Sequence, residues 1–237
     1  MTAHLTPAAP ASADELLTGI RVAPSILSAD YARLGAQLDE VLDAGARVIH
    51  FDVMDGHFVP PITFGPGVLA ALSERLRDAG AVADVHLMIE RPERQIEAFA
   101  DSGAHVITIH CEATPDIRYA LTAIRAMGCR PGLALNPGTP PELVAPVADM
   151  LDLALCMTVN PGWAGQRFID ATRAKIGRLR RLLPEECVIE VDGGIDAHSG
   201  PPCVALGANL LVAGSAIFGS PSPANAYRDI AAAVGAD

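Results

Sequence analysis

The stretch DAGARVIHFDV, residues 43–53, reads as the end of a helix, a glycine turn and then an apolar strand. The same order of features returns in DSGAHVITIHC, residues 101–111, and in ALGANLLVAGS, residues 205–215. In each copy a glycine (Gly45, Gly103, Gly207) stands where the chain leaves a helix through the left-handed region, which glycine enters without a Cβ penalty. A helix that runs through a tight turn into a strand buried on both faces is the repeating unit of a parallel sheet covered by helices.

Outward from these copies, short apolar runs alternate with amphipathic segments from Ile20 to the end. The predicted strands are Arg21–Leu27, Val48–Met54, Val82–Met88, His105–Cys111, Gly132–Asn136, Leu151–Val159, Val188–Asp192 and Asn209–Ala213. Helix-like stretches separate them, among them Tyr31–Ala44, with Asp30 as its N-cap, Pro141–Ala148, Ala197–Leu206 and Pro223–Val234. Eight strand–helix units predict an α/β fold, a (β/α)8 TIM barrel. A length of 237 residues is close to the roughly 250 of one such domain. The barrel is expected over residues 20–237. Residues 1–19, rich in Ala and Pro, read as a poorly ordered tail with one short helical turn around Ala13–Leu17.

Composition excludes several partners. A formal net charge of −11 leaves no basic surface for nucleic acid or for an anionic membrane. The mean hydropathy of +0.30 raises the question of a spanning segment. The longest stretch free of Asp, Glu, Lys and Arg, Ala197–Tyr227, is broken by Pro201, Pro202, Pro221 and Pro223, so it cannot be one apolar helix of about 20 residues. Five cysteines without a C-x-x-C pair indicate buried thiols rather than a disulfide or zinc framework. The N-terminus has no secretory signal pattern, and a cytoplasmic location is expected.

The C-terminal strand ends of such a barrel carry its chemistry. His50, Asp52 and Met54 share one parity at the end of the second strand, as do His86 and Met88 on the third, so both sets face the interior. Asp192 ends the seventh strand. Two imidazoles and two carboxylates converging in a core point to a divalent-metal site, because buried carboxylates need a cation or must protonate. Three loops suit an anion: Asn160–Gln166, Gly193–Gly194 and Gly214–Ser215. Small residues there expose backbone N–H groups.

The segments APSILSAD (Ala23–Asp30), HFDVMDGHFVP (His50–Pro60), DVHLMIERP (Asp84–Pro92), MTVNPGWAGQ (Met157–Gln166), EVDGGI (Glu190–Ile195) and VAGSAIF (Val212–Phe218) together resemble the ribulose-phosphate 3-epimerase family. The resemblance covers essentially all of the chain after Ile20. It implies a metal-dependent isomerase of pentose phosphate metabolism that interconverts D-ribulose 5-phosphate and D-xylulose 5-phosphate. His50, Asp52, His86 and Asp192 would hold one divalent metal ion per subunit. Zn²⁺ suits this donor set best; Fe²⁺, Mn²⁺ and Co²⁺ are also compatible. Asp52 and Asp192 would be the acid/base pair. Ser25, His50, His86, Gly162, Trp163, Ala164, Gly165, Asp192, Gly193, Gly194, Gly214 and Ser215 would contact substrate, and Met54, Met88 and Met157 would line the pocket. The resemblance also implies a homo-oligomer, a dimer or a hexamer.

The residue types suit that chemistry. Inverting carbon 3 of a 2-ketose removes a proton alpha to the carbonyl and returns one to the opposite face, which calls for one carboxylate on each side. A cation on the ketone and adjacent hydroxyl stabilises the developing enediolate. Methionines keep water out and adapt to either epimer. The sequence departs from the family pattern at Trp163-Ala164, where the family has Phe-Gly, and at Pro61, where it has Asn. His110-Cys111-Glu112 matches an HxE segment on the fourth strand, with His110 a candidate lining residue. An epimerase of a six-carbon ketose phosphate such as allulose 6-phosphate would use the same ligands; the Gly-Gly after Asp192 favours the pentose type. A barrel lyase such as a hexulose-phosphate synthase would lack the metal set, and a barrel that only binds sugar phosphate has no use for two opposed bases.

Overall fold

A computed structural model describes residues 17–236. Strands β1 (Arg21–Pro24), β2 (Val48–Met54), β3 (Val82–Met88), β4 (Val106–His110), β5 (Arg130–Leu135), β6 (Leu153–Met157), β7 (Val188–Asp192) and β8 (Leu210–Ala213) form one parallel sheet in the order β1-β8-β7-β6-β5-β4-β3-β2. A single bridge between Ser25 and His50 joins β1 to β2 and closes the sheet into a barrel. The crossovers carry helices α1 (Leu34–Asp43), α2 (Pro66–Asp78), α3 (Ile96–Asp101), α4 (Ile117–Ala126), α5 (Arg173–Leu182) and α6 (Gly200–Val204), and α7 (Ser215–Phe218) and α8 (Pro223–Val234) follow the last strand. The fold is the single-domain TIM barrel expected.

The alternating parity of the strands divides the core in two. Val48, Val82, Val106, Leu153, Leu155 and Val188 pack together inside the barrel. Their neighbours of opposite parity, such as Ile49, Phe51, Val85 and Ile107, pack against the helices. Leu17 is buried with the inner set, against the strand starts, where it closes the N-terminal mouth; burying such a side chain contributes about 1.5–3 kcal/mol. The helical turn expected around Ala13–Leu17, and the rest of the tail to residue 16, lie outside the described residues.

Local signals set the helix ends. Asp30 caps the first turn by accepting from the Ala32 N–H, and Asp116 does the same for Tyr119 at α4. Gly45, Gly103 and Gly207 take φ values of 112°, 102° and 102°, the positive φ for which glycine was expected there.

Three expectations need correction. The first strand ends at Pro24, not Leu27, because Ile26–Ser28 turns as a 3₁₀ segment capped by Ser25 Oγ. The segment opening at Pro141 is a 3₁₀ helix, Pro141–Met150; Pro146 inside it has no N–H for an α-helical bond. Helix α6 covers only Gly200–Val204 of the expected Ala197–Leu206, since Asp196 draws the N–H groups of His198 and Ser199 into a turn. The short helix α7 is an addition to the expected helix-like stretches and begins directly after Gly214. No helix of the described residues is long and apolar enough to cross a membrane.

Candidate active site

Register brings the polar residues of the strand ends together. β2 pairs with β3 so that His50 stands opposite Asp84, Asp52 opposite His86 and Met54 opposite Met88. Across the barrel, Asp192 pairs with Met157 and Val212. Ligand atoms of His50, Asp52, His86 and Asp192 all lie within 4.8 Å of one another, as four donors around one cation require. Asp52 Oδ1 lies 3.2 Å from His50 Nε2 and 3.1 Å from His86 Nδ1, and Asp192 Oδ2 lies 3.9 Å from His86 Nδ1.

Further polar groups hold these four. Asp84 Oδ2 lies 2.6 Å from His50 Nδ1, and Glu190 Oε1 lies 3.3 Å from the same atom. His86 Nε2 lies 2.8 Å from His110 Nε2, and His110 Nδ1 lies 3.1 Å from Glu112 Oε2. Asp52 Oδ2 accepts a 2.6 Å hydrogen bond from Ser25 Oγ. Asp84, Glu190 and Glu112 went unassigned in the sequence, although a signal for two of them was present: Asp84 shares parity with His86, and Glu190 with Asp192.

The electrostatics are those of a crowded, largely buried site. Burial works against ionisation of Asp52, but His50 and His86 outweigh it and hold the carboxyl well below its usual range. Burial, reinforced by the Asp52 charge, pushes Asp192 up to about 8. Burial and then Asp84 raise Glu190 well above the carboxylate range. Burial is likewise the main cause holding His86 down at about 4. Two carboxylates this close, one strained toward protonation, are a donor set that a divalent cation fits.

Above this cluster opens a cleft of about 520 Å³. Ser25, Asp52 and Asp192 line it together with Met54, Met88 and Met157; Gly162–Gly165, Gly193–Gly194 and Gly214–Ser215 form its other wall. His50 and His86 are fully buried and are not among the lining residues. Nor is His110, whose ring packs 4.8 Å from that of Phe58. Leu27, Ser28 and Ile195 line the cleft without having been singled out.

The glycine loops are held tightly. Thr158 Oγ1 donates to the carbonyls of Asp192 (2.8 Å) and Gly193 (2.6 Å). Gly194 has a φ of 65°, and a Cβ there would meet Phe168 N at 2.5 Å, so no other residue fits without backbone movement. In the lid, Gln166 Nε2 donates to the carbonyls of Asn160 and Trp163. Arg91 is the non-glycine residue with positive φ among those described, so Ala164 occupies its place in the lid without entering the left-handed region. Pro60 and Pro61 lie close beside Gly162, so the Pro61 departure places an apolar ring against the lid.

Comparison with known proteins agrees with this arrangement. A family model described as the ribulose-phosphate 3 epimerase family matches residues 21–218. The chain is 46% identical over 215 residues to a ribulose-phosphate 3-epimerase of Bacillus subtilis, covering 89% of this chain and 98% of that one. It is 48% identical over 217 residues to the enzyme of that name from Rhodobacter capsulatus, covering 90% and 93%. Among solved structures, the KGPDC of Streptococcus mutans superposes with a TM-score of 0.70 at 15% identity, over 92% of this chain and 98% of that one, a likeness of fold alone. The level of identity to named enzymes, together with a family model that spans residues 21–218, shows that this chain belongs to the ribulose-phosphate 3-epimerase family.

Proposed function

We propose that this epimerase interconverts D-ribulose 5-phosphate and D-xylulose 5-phosphate by proton transfer between carbon 3 and the carboxyl groups of Asp52 and Asp192, with a divalent metal ion held by His50, Asp52, His86 and Asp192. The observation that carries the reading is the meeting of two histidines and two aspartates within 4.8 Å at the floor of a cleft walled by glycine loops.

Each part of the chain has a task in it. Asp52 and Asp192 approach from β2 and β7, so a sugar lying between them meets one carboxyl on each face. One removes the carbon 3 proton and the other returns a proton from the opposite side; the roles exchange for the reverse reaction. Ser25 orients Asp52 through its hydrogen bond. Backbone N–H groups of the loops at Gly162–Gly165, Gly193–Gly194 and Gly214–Ser215 receive the phosphate. Trp163 and the three methionines exclude water from the reacting carbons. A bound cation would supply electrostatic stabilisation of the negative charge that develops on the oxygens of carbons 2 and 3. Zn²⁺ suits the donors, with Fe²⁺, Mn²⁺ and Co²⁺ as the other compatible ions. In a homo-oligomer, apolar side chains at the mouth of the barrel such as Ile62, which is 80% exposed, would gain cover.

Purified protein supplied in turn with each of the four metals is incubated with ribulose 5-phosphate in D₂O. Xylulose 5-phosphate carrying deuterium at carbon 3 is expected, with a higher kcat/KM than for allulose 6-phosphate. Absence of product with every metal would sink the reading.

A further inference from the structure

We propose that Glu112 and His110 are positioning residues that fix which ring nitrogen of His86 carries its proton, leaving Nδ1 free to bind the metal; this rests on the metal reading above. His86 and His110 are both fully buried, so no water competes for their nitrogens. Their Nε2 atoms are 2.8 Å apart. A bond between two neutral imidazole nitrogens needs one N–H and one lone pair, and the 2.8 Å contact alone does not say which ring donates.

Glu112 decides it. Its Oε1 accepts from the Asn136 N–H at 2.9 Å and from the Thr139 hydroxyl, which fixes the carboxylate in one orientation. Its Oε2 lies 3.1 Å from His110 Nδ1 and can only accept there, so His110 carries its proton on Nδ1. His110 Nε2 is then the acceptor, and His86 must carry its proton on Nε2. The lone pair of His86 is thereby directed through Nδ1, the atom that faces Asp52 and Asp192. His50 is oriented more directly, through Asp84 on its Nδ1. Carboxylate partners of this kind set ligand tautomer and basicity. Here the carboxylate acts through an intervening imidazole.

The chain distinguishes this from simple packing. In Glu112→Gln the Asn136 N–H keeps the amide oxygen on its own side, so the NH₂ group faces His110 Nδ1. His110 must then place its proton on Nε2, and His86 must move its proton to Nδ1. His110→Phe fills the space but offers no acceptor; His110→Gln offers one again.

Metal-stripped protein is titrated with Zn²⁺ against a chromophoric chelator. Glu112→Gln and His110→Phe are expected to bind about 10- to 100-fold more weakly, with His110→Gln regaining most of the loss. ¹⁵N spectra of the unmodified, Zn²⁺-loaded protein are expected to show His110 protonated on Nδ1 and His86 on Nε2. Unchanged affinity in folded variants, or the opposite tautomers in those spectra, would overturn the relay. If the unmodified protein takes up no metal, the metal reading fails, and a proton on His110 Nδ1 in its ¹⁵N spectra still judges the Glu112–His110 half of the relay.

Discussion

Ser25 Oγ donates a 2.6 Å hydrogen bond to Asp52 Oδ2 across the seam where β1 meets β2. A backbone bridge to His50 and a side-chain bond to Asp52 leave from the same residue, so the point that closes the barrel also orients the Asp52 carboxyl. Ser25→Ala would leave Oδ2 buried without this donor. Hydrogen bonds to charged groups are worth about 1.5–3 kcal/mol, so kcat should fall roughly 10- to 100-fold while the protein stays folded. Steady-state kinetics beside thermal unfolding check this, and an unchanged kcat would reduce Ser25 to a seam residue.

The two carboxyls themselves should matter more. Asp52→Asn and Asp192→Asn each remove one of the two carboxyls proposed to exchange the carbon 3 proton, and turnover is expected to fall at least about 10²- to 10⁴-fold. Deuterium incorporation at carbon 3, with metal content measured on the same samples, separates lost proton transfer from lost ion. Near-normal activity in either variant with metal bound would refute the assignment.

Stability at low pH should report on Glu112. Burial opposes its ionisation, but hydrogen bonds from His110, Thr139 and the Asn136 N–H hold its pKa at about 2, below the ordinary 4.5. A carboxyl depressed by folding contributes its full stabilisation above the unfolded pKa and loses it as pH falls toward the folded value. Urea midpoints of the unmodified protein should therefore drop more steeply between about pH 4.5 and 2 than those of Glu112→Gln. Parallel curves would show that the carboxylate has no such linkage.

Two substitutions in the glycine loops should differ in the size of their consequence. Gly194→Ala places a Cβ 2.5 Å from Phe168 N at a φ of 65°, and the backbone must move. A left-handed non-glycine residue costs about 1–2 kcal/mol before the clash is counted, so a lower Tm and a KM raised about 10-fold are expected. Ala164→Gly meets no such constraint. It should cost about 0.4–1 kcal/mol through the unfolded chain and leave KM within roughly two-fold. Isothermal substrate titration beside thermal melts tests both, and an unaffected Gly194→Ala would remove that loop from phosphate binding.

The sequence by itself determined the barrel and the four residues at its floor. Both rest on local geometry: strand side chains alternate with a period of two, so His50 and Asp52 must share a face, and Gly45, Gly103 and Gly207 answer to the backbone of their own turns. Neighbours in sequence carry that information. The crossover at Pro141–Met150 was harder to read because its apolar pattern suits an α-helix, while Pro146 turns it into a tighter coil. Tertiary structure alone decided which strands meet and at what offset. The shift of β4 against β3 brings His110 to His86, residues 24 apart in sequence, and the closure of β1 on β2 brings Ser25 to Asp52, 27 apart. Asp84 and Glu190 likewise meet around His50 only because β2, β3 and β7 face one another across the interior. Residue identity supplied the ligands, but the tautomers and charges that would make them work depend on contacts between distant strands, and those exist only once the sheet has closed.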